Sequence, residues 1–155
     1  MKPVIRKKNI LFNRFVKLVE DNHQIITERF MNDLIKNPDT AAYRVVDHHA
    51  VYDLVHGIYK DLSTWIAREY PKSKIEERYM KIARERFGMG IPFYQVQKAF
   101  VLMKRHLWLF VIDKLYDDKT MYEEAIDLNN RVTLYFDRAL YYMLKGYFEI
   151  INKEI

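Results

Sequence analysis

At 155 residues, half of them apolar or aromatic, the chain has the size of one ordinary domain and can bury a continuous core without staples. The absence of cysteine excludes a disulfide framework, a thiolate zinc site and a cysteine nucleophile together, and fits a cytoplasmic location. The 26 Lys and Arg outnumber the 21 Asp and Glu, but they are scattered along every segment, so they read as solvated helix faces rather than a nucleic-acid footprint.

The one basic cluster, Lys2, Arg6, Lys7 and Lys8, lies at the start, and no signal-peptide core follows it. From Asn9 to Asn37 the apolar residues Leu11, Phe15, Leu18, Ile25, Ile26, Phe30 and Leu34 recur at the spacing of an amphipathic helix. Asn37-Pro38 ends it. Asp39 or Thr40 can cap a short helical turn running through Val46. A second long helix follows from about His49 to Tyr70, with Val51, Leu54, Val55, Ile58, Leu62, Trp65 and Ile66 as its stripe and Asp47 as its cap. Pro71 stops it. Ser73 and Glu76 have the spacing of a capping box for the next helix, which runs to Phe87. Gly88, Gly90 and Pro92 make the sharp break of the second half, and Pro92 suits the first turn of a helix reaching Tyr116. The last helix starts after Asp117, Asp118 and Thr120.

Two helices carry more information than the rest. The run Leu107 to Ile112 is apolar on all sides, which predicts a central helix contacted from several directions. It is also far too short to span a bilayer, so no membrane insertion is expected. The final helix carries Met121, Ala125, Leu128, Val132, Tyr135, Ala139 and Tyr142 in one row. Phe136, Leu140, Met143, Tyr147 and Ile150 form a second row beside it. Two apolar rows exceed what one core covers, which points to a homodimer through Leu128, Val132, Tyr135, Ala139 and Tyr142, with a wide core contact as the alternative.

No pattern for catalysis emerges. There is no strained Ser-Gly elbow and no phosphate-cradling glycine loop, and the chain reads as a non-enzyme. His49, Asp53 and His56 share one helix face at metal-ligand spacing, but the set lacks a further ligand and reads more simply as an exposed polar face. Glu76-Glu77 and Glu123-Glu124 are adjacent pairs that diverge on a helix.

The stretch Ile82 to Phe100, with its Arg86-Phe87-Gly88-Met89-Gly90-Ile91-Pro92 corner, resembles the F helix and following corner of bacterial globin-coupled sensors. Tyr135-Phe136-Asp137-Arg138-Ala139-Leu140 through Tyr147 resembles the closing helix of the related RsbR-type N-terminal sensor domains of stress-response signalling. The resemblance implies an all-α, globin-like domain of five to six helices with long first and last members, spanning residues 1–155, that dimerises through its last helices. It also implies an output: a downstream signalling protein or a fused signalling module. A haem globin needs an axial histidine about four residues before the glycine that ends the F helix; here that residue is Arg84, and no histidine lies between His56 and His106. Haem is therefore not expected. In haem-less relatives the equivalent cavity is filled by side chains or takes a fatty-acid-like ligand. Such a ligand would lie among Ile58, Trp65, Phe87, Val96 and Phe100, with Arg84 within the same set. A haem-based gas or redox sensor and a ligand-free protein-interaction adaptor remain the alternatives.

Overall fold

The computed structural model describes residues 14–67, 69–115 and 122–154. These residues form helices and connecting turns, with no strand among them. In chain order the elements are α1 (14–21), α2 (His23–Lys36), a 3-10 helix (Pro38–Val45), α3 (His48–Lys60), α4 (Leu62–Trp65), α5 (Lys72–Gly88), α6 (Phe93–Leu115) and α7 (Tyr122–Glu154). The all-helical class follows the apolar spacing, but the first half is cut into more and shorter pieces than five or six helices.

The cuts fall where side chains compete with the helical ladder for backbone groups. The expected helix to Asn37 breaks at Asn22 (φ −114°, ψ 20°); the part before residue 14 lies outside the described residues. Asn22 Nδ2 donates to the Leu18 carbonyl at 2.7 Å, and the His23 ring lies 2.6 Å from the Glu20 carbonyl oxygen. The expected helix from His49 to Tyr70 breaks at Asp61 (φ −113°, ψ 32°). The Gly57 carbonyl there accepts from both the Asp61 backbone and the Trp65 indole, each at 3.1 Å. The Glu20 carboxylate reaches across from α1 to accept from the Ser63 backbone (3.1 Å) and hydroxyl (2.9 Å), which satisfies an orphan donor at the start of α4.

Caps divide in the same way. Asp47 caps α3 as the sequence predicts, accepting from the His49 amide at 2.9 Å. The 3-10 helix is capped by Asn37, accepting from the Asp39 amide at 2.9 Å, and not by Asp39 or Thr40. Thr40 is buried and donates to the Leu34 carbonyl at 2.7 Å. The capping box of Ser73 and Glu76 does not form: α5 starts at Lys72 behind Pro71, so Ser73 is already inside the helix. Gly90 takes a φ of +78°, a conformation that glycine reaches without strain, and lets the Ile91 amide return to the Arg86 carbonyl at 3.2 Å. Pro92 stands one residue before α6, its carbonyl accepting from the Gln95 and Val96 amides. The expected helix limits at Tyr116, Asp117, Asp118, Thr120 and Met121 lie outside the described residues.

The core gathers around α7, which packs chiefly against α5, while α2 packs on α3, α6 and the 3-10 helix. At the α5–α7 crossing a Cβ on Gly146 would stand 2.6 Å from the Ala83 Cβ, so the helices are close because neither position carries more. Long-range polar ties satisfy buried groups that packing alone would strand. Tyr59 donates to the Met103 carbonyl (2.6 Å), Tyr147 to the Ile91 carbonyl (2.7 Å) and the Ala42 amide to Gln95 Oε1 (2.8 Å). His106 meets Asp33 at 2.8 Å between α6 and α2.

The structure corrects the reading of α6 as a helix surrounded on all sides. Leu107, Phe110 and Val111 are buried, but Leu109 and Ile112 are about half exposed, at 50% and 57%. The residues α6 packs against cover one side of it, and the other side is open. Among the described residues no helix is long and apolar enough to cross a membrane.

Candidate functional site

The feature that organises the candidate site is the arrangement of three apolar rows on α7. Leu128, Val132, Tyr135, Ala139 and Tyr142, assigned from sequence to a partner subunit, are buried within this chain. Phe136, Met143 and Tyr147 of the second row are buried as well. The row left in the open is a third one, and sequence spacing gave it no prominence. Leu134, Tyr141, Leu144, Phe148 and Ile151 are exposed, with Tyr141 at 60% and Phe148 at 57%. Their steps of seven, three, four and three are those of a two-helix seam.

On its inner side α7 closes a small chamber. Met143 lines it together with Phe30, Tyr43, Val96, Phe100 and Met103, among others, and the void they leave is about 20 Å³. That is room for about one water. The one charged group in the lining is Arg86, which is 4% exposed. Its Nη1 lies 3.8 Å from Met89 Sδ, and its positive charge acts on the hydroxyl of Tyr43, which lines the same chamber. Among the described residues the ion pairs lie elsewhere, and none reaches Arg86. Burial pushes the Tyr43 hydroxyl up to about 12, against the lowering pull of the Arg86 charge. Burial raises Tyr147 too, and Arg86 again opposes the shift.

The residues expected to hold a ligand separate. Val96 and Phe100 line the chamber. Ile58 is fully buried but lies outside its lining. Phe87 is half-buried, edge-on to Tyr147 with ring centroids 5.6 Å apart. Trp65 lines a different cleft, on the outside of α7. Arg84 is exposed, and the buried cation stands two positions further on. A sequence signal for Arg86 existed: it continues the buried row Ile75, Tyr79, Ile82 and Ala83 at helical steps. A basic side chain is normally read as the solvated face, and here the apolar register outranks that habit.

Haem does not fit this chamber. No histidine lines it, and its volume is far below that of a porphyrin. The His49, Asp53 and His56 stripe also divides. His49 and Asp53 pair at 3.5 Å in solvent, while His56 stacks on Tyr52 and meets the edge of His23 at 4.4 Å. Among the described residues no three potential ligands converge as a metal site. No protein-family model, no curated protein and no solved structure matches the chain.

Proposed function

We propose that this chain is a non-enzymatic sensory or regulatory domain of a bacterial signalling system, a haem-less globin-like module that passes a signal through α7 to a second copy and an output partner. The observation that carries this reading is the two-sidedness of α7. Met143 touches the Arg86 chamber, while Leu144 and Tyr141 beside it belong to the open apolar row. One rigid helix thus joins an interior that can change its packing to a surface that can change its partner, the kind of two-state element through which coupling travels.

The ligand suited to the chamber is a fatty-acid-like carboxylate. A guanidinium buried without an acid is costly, and a carboxylate presents the planar, bidentate partner it lacks. The void admits no acyl chain as it stands, so binding requires Met103 and Met143 to move, which their unbranched, adaptable side chains permit. The partner suited to the open row is an identical helix. The row is self-complementary about a two-fold axis, its steps being those of a two-helix seam, and Arg138 follows its acid, Asp137, in the sequence.

Two measurements test the proposal. Light scattering of the full chain at micromolar concentration gives a dimer, and Leu134→Asp with Phe148→Asp gives a monomer of unchanged helicity; a wild-type monomer defeats the output surface. Native mass spectrometry with palmitate gives a bound species that Arg86→Met loses. Failure of palmitate to bind, with the dimer intact, leaves the ligand-free adaptor as the better account.

A further inference from the structure

A second site lies on the flank of α7, away from the chamber. The turn after α4, the start of α5 and the middle of α7 enclose an open cleft of about 250 Å³. Its apolar wall is built from rings. Trp65 stands edge-on to Tyr70 at 5.3 Å and tilted to Tyr135 at 6.1 Å. Tyr135 is fixed in turn by a 2.5 Å hydrogen bond between its hydroxyl and that of Tyr79. Trp65 is held by its indole bond to the Gly57 carbonyl, so two of the three rings are fixed by hydrogen bonds before any ligand arrives.

The opposite rim is basic. Arg131 and Arg138 line the cleft with Asn130, and the only acid in the lining, Asp127, is 3.5 Å from Arg131. Arg138 makes no hydrogen bond or ion pair with any described residue. Behind the wall the Arg78 guanidinium lies 4.3 Å from the Trp65 ring centroid, and its Nε is buried with no acceptor. Arginine thus outnumbers acid in the lining, two to one, and the wall offers ring faces.

We infer that this cleft binds a small aromatic carboxylate, its ring against Trp65 and Tyr70 and its acid group on Arg138. Each half of the ligand answers one half of the site. A flat ring gains contact with rigid aromatic walls at little entropic cost, and a carboxylate gives Arg138 the bidentate acceptor it lacks. A cation is repelled by the rim. The volume is just below the range of roughly 300–1,000 Å³ typical of drug-sized ligands, which limits the occupant to about one or two fused rings with a short acidic arm.

The site is independent of the Arg86 chamber, and the test keeps the two apart. Amide and indole chemical shifts of the full chain are followed by NMR during titration with benzoate and indole-3-acetate, with benzyl alcohol and benzamidine as neutral and cationic counterparts. The acids produce saturable shifts at the Trp65 indole, Tyr70 and Asn130. Arg138→Gln weakens them about tenfold, the size of one lost charge-assisted contact, while Arg86→Met leaves them unchanged. The assignment is overturned if no saturable shift develops by millimolar acid, if the shifts fall elsewhere, if benzyl alcohol binds as well as benzoate, or if Arg138→Gln has no effect.

Discussion

Arg86 and Arg138 come from the two helices of one pair, α5 and α7, and each lies beside aromatic rings, but water treats them differently. Arg86 is buried beside a chamber of about 20 Å³ that is also lined by Tyr43 of the 3-10 helix, Met103 of α6 and Met143 of α7. Arg138 borders an open cleft of about 250 Å³ walled by Trp65, Tyr70 and Tyr135. In the chamber a cation without an acid strains the folded state, and a ligand has to displace core side chains. In the cleft the cation is solvated, its neighbours are already fixed, and a ligand displaces only water. If both proposed ligands bind, the same residue type acts as a latent destabiliser in one place and as part of a preformed receptor in the other.

The crossing at Gly146 and Ala83 supports both sites, so breaking it has the largest expected effect. Gly146→Val places carbon atoms where Ala83 Cβ already stands, and overpacking of this kind costs about 3 kcal/mol even though the helix itself gains from losing a glycine. Urea unfolding measures the loss, and Ala83→Gly in the same chain returns part of it through the coupling of touching residues. A Gly146→Val protein as stable as the original would mean that the helices are not held at this distance.

Smaller effects separate the two sites. Tyr79→Phe leaves the Tyr135 hydroxyl buried with its partner gone, at a cost of about 2 kcal/mol, and removing both hydroxyls recovers most of that. Burial raises both tyrosines, Tyr79 to about 12, so this loss is the same across neutral pH. Arg86→Met acts in the opposite direction. Replacing a buried, acid-free guanidinium by a thioether of similar length raises the stability of the ligand-free protein by about 1 kcal/mol, seen as an unfolding midpoint higher by roughly 3 °C. A lower midpoint for Arg86→Met would show that Tyr43 and Met89 already satisfy the charge.

The helical class was legible because the apolar steps of three and four run along nearly the whole chain, and Asp47 was legible as a cap because its reach is local. What escaped depended on distant groups. The break at Asp61 is fixed by the Trp65 indole and by Glu20 from another helix. The rows of α7 could be found by period, but only packing decides which row faces inward, since α5 and the rest of the core cover two of the three. Of the residues expected around a ligand, Val96 and Phe100 follow the apolar register into the chamber, whereas Arg84 is exposed and the register buries Arg86 instead.

The smallest effect lies outside the α5–α7 pair and serves as its control. His56 of α3 is packed against Tyr52 on one side and His23 of α2 on the other. Burial lowers its affinity for a proton, the charges of His23 and Lys60 lower it further, and Asp53 and Asp61 oppose them. Above about pH 6.5 the imidazole is neutral folded or unfolded and contributes no pH dependence. As pH falls below that value the unfolded chain binds the proton first, so stability is lost through the window that ends at the lower folded value. Urea midpoints at pH 7.5 and 5.5 should therefore differ less in His56→Gln than in the wild type. Neither the Arg86 chamber nor the Arg138 cleft should register the substitution, because no residue of the His23, Tyr52 and His56 cluster lines either one. If His56→Gln changed palmitate or benzoate binding, α2 and α3 would act on that site, and the proposed role of α7 as the one link between interior and surface would fail.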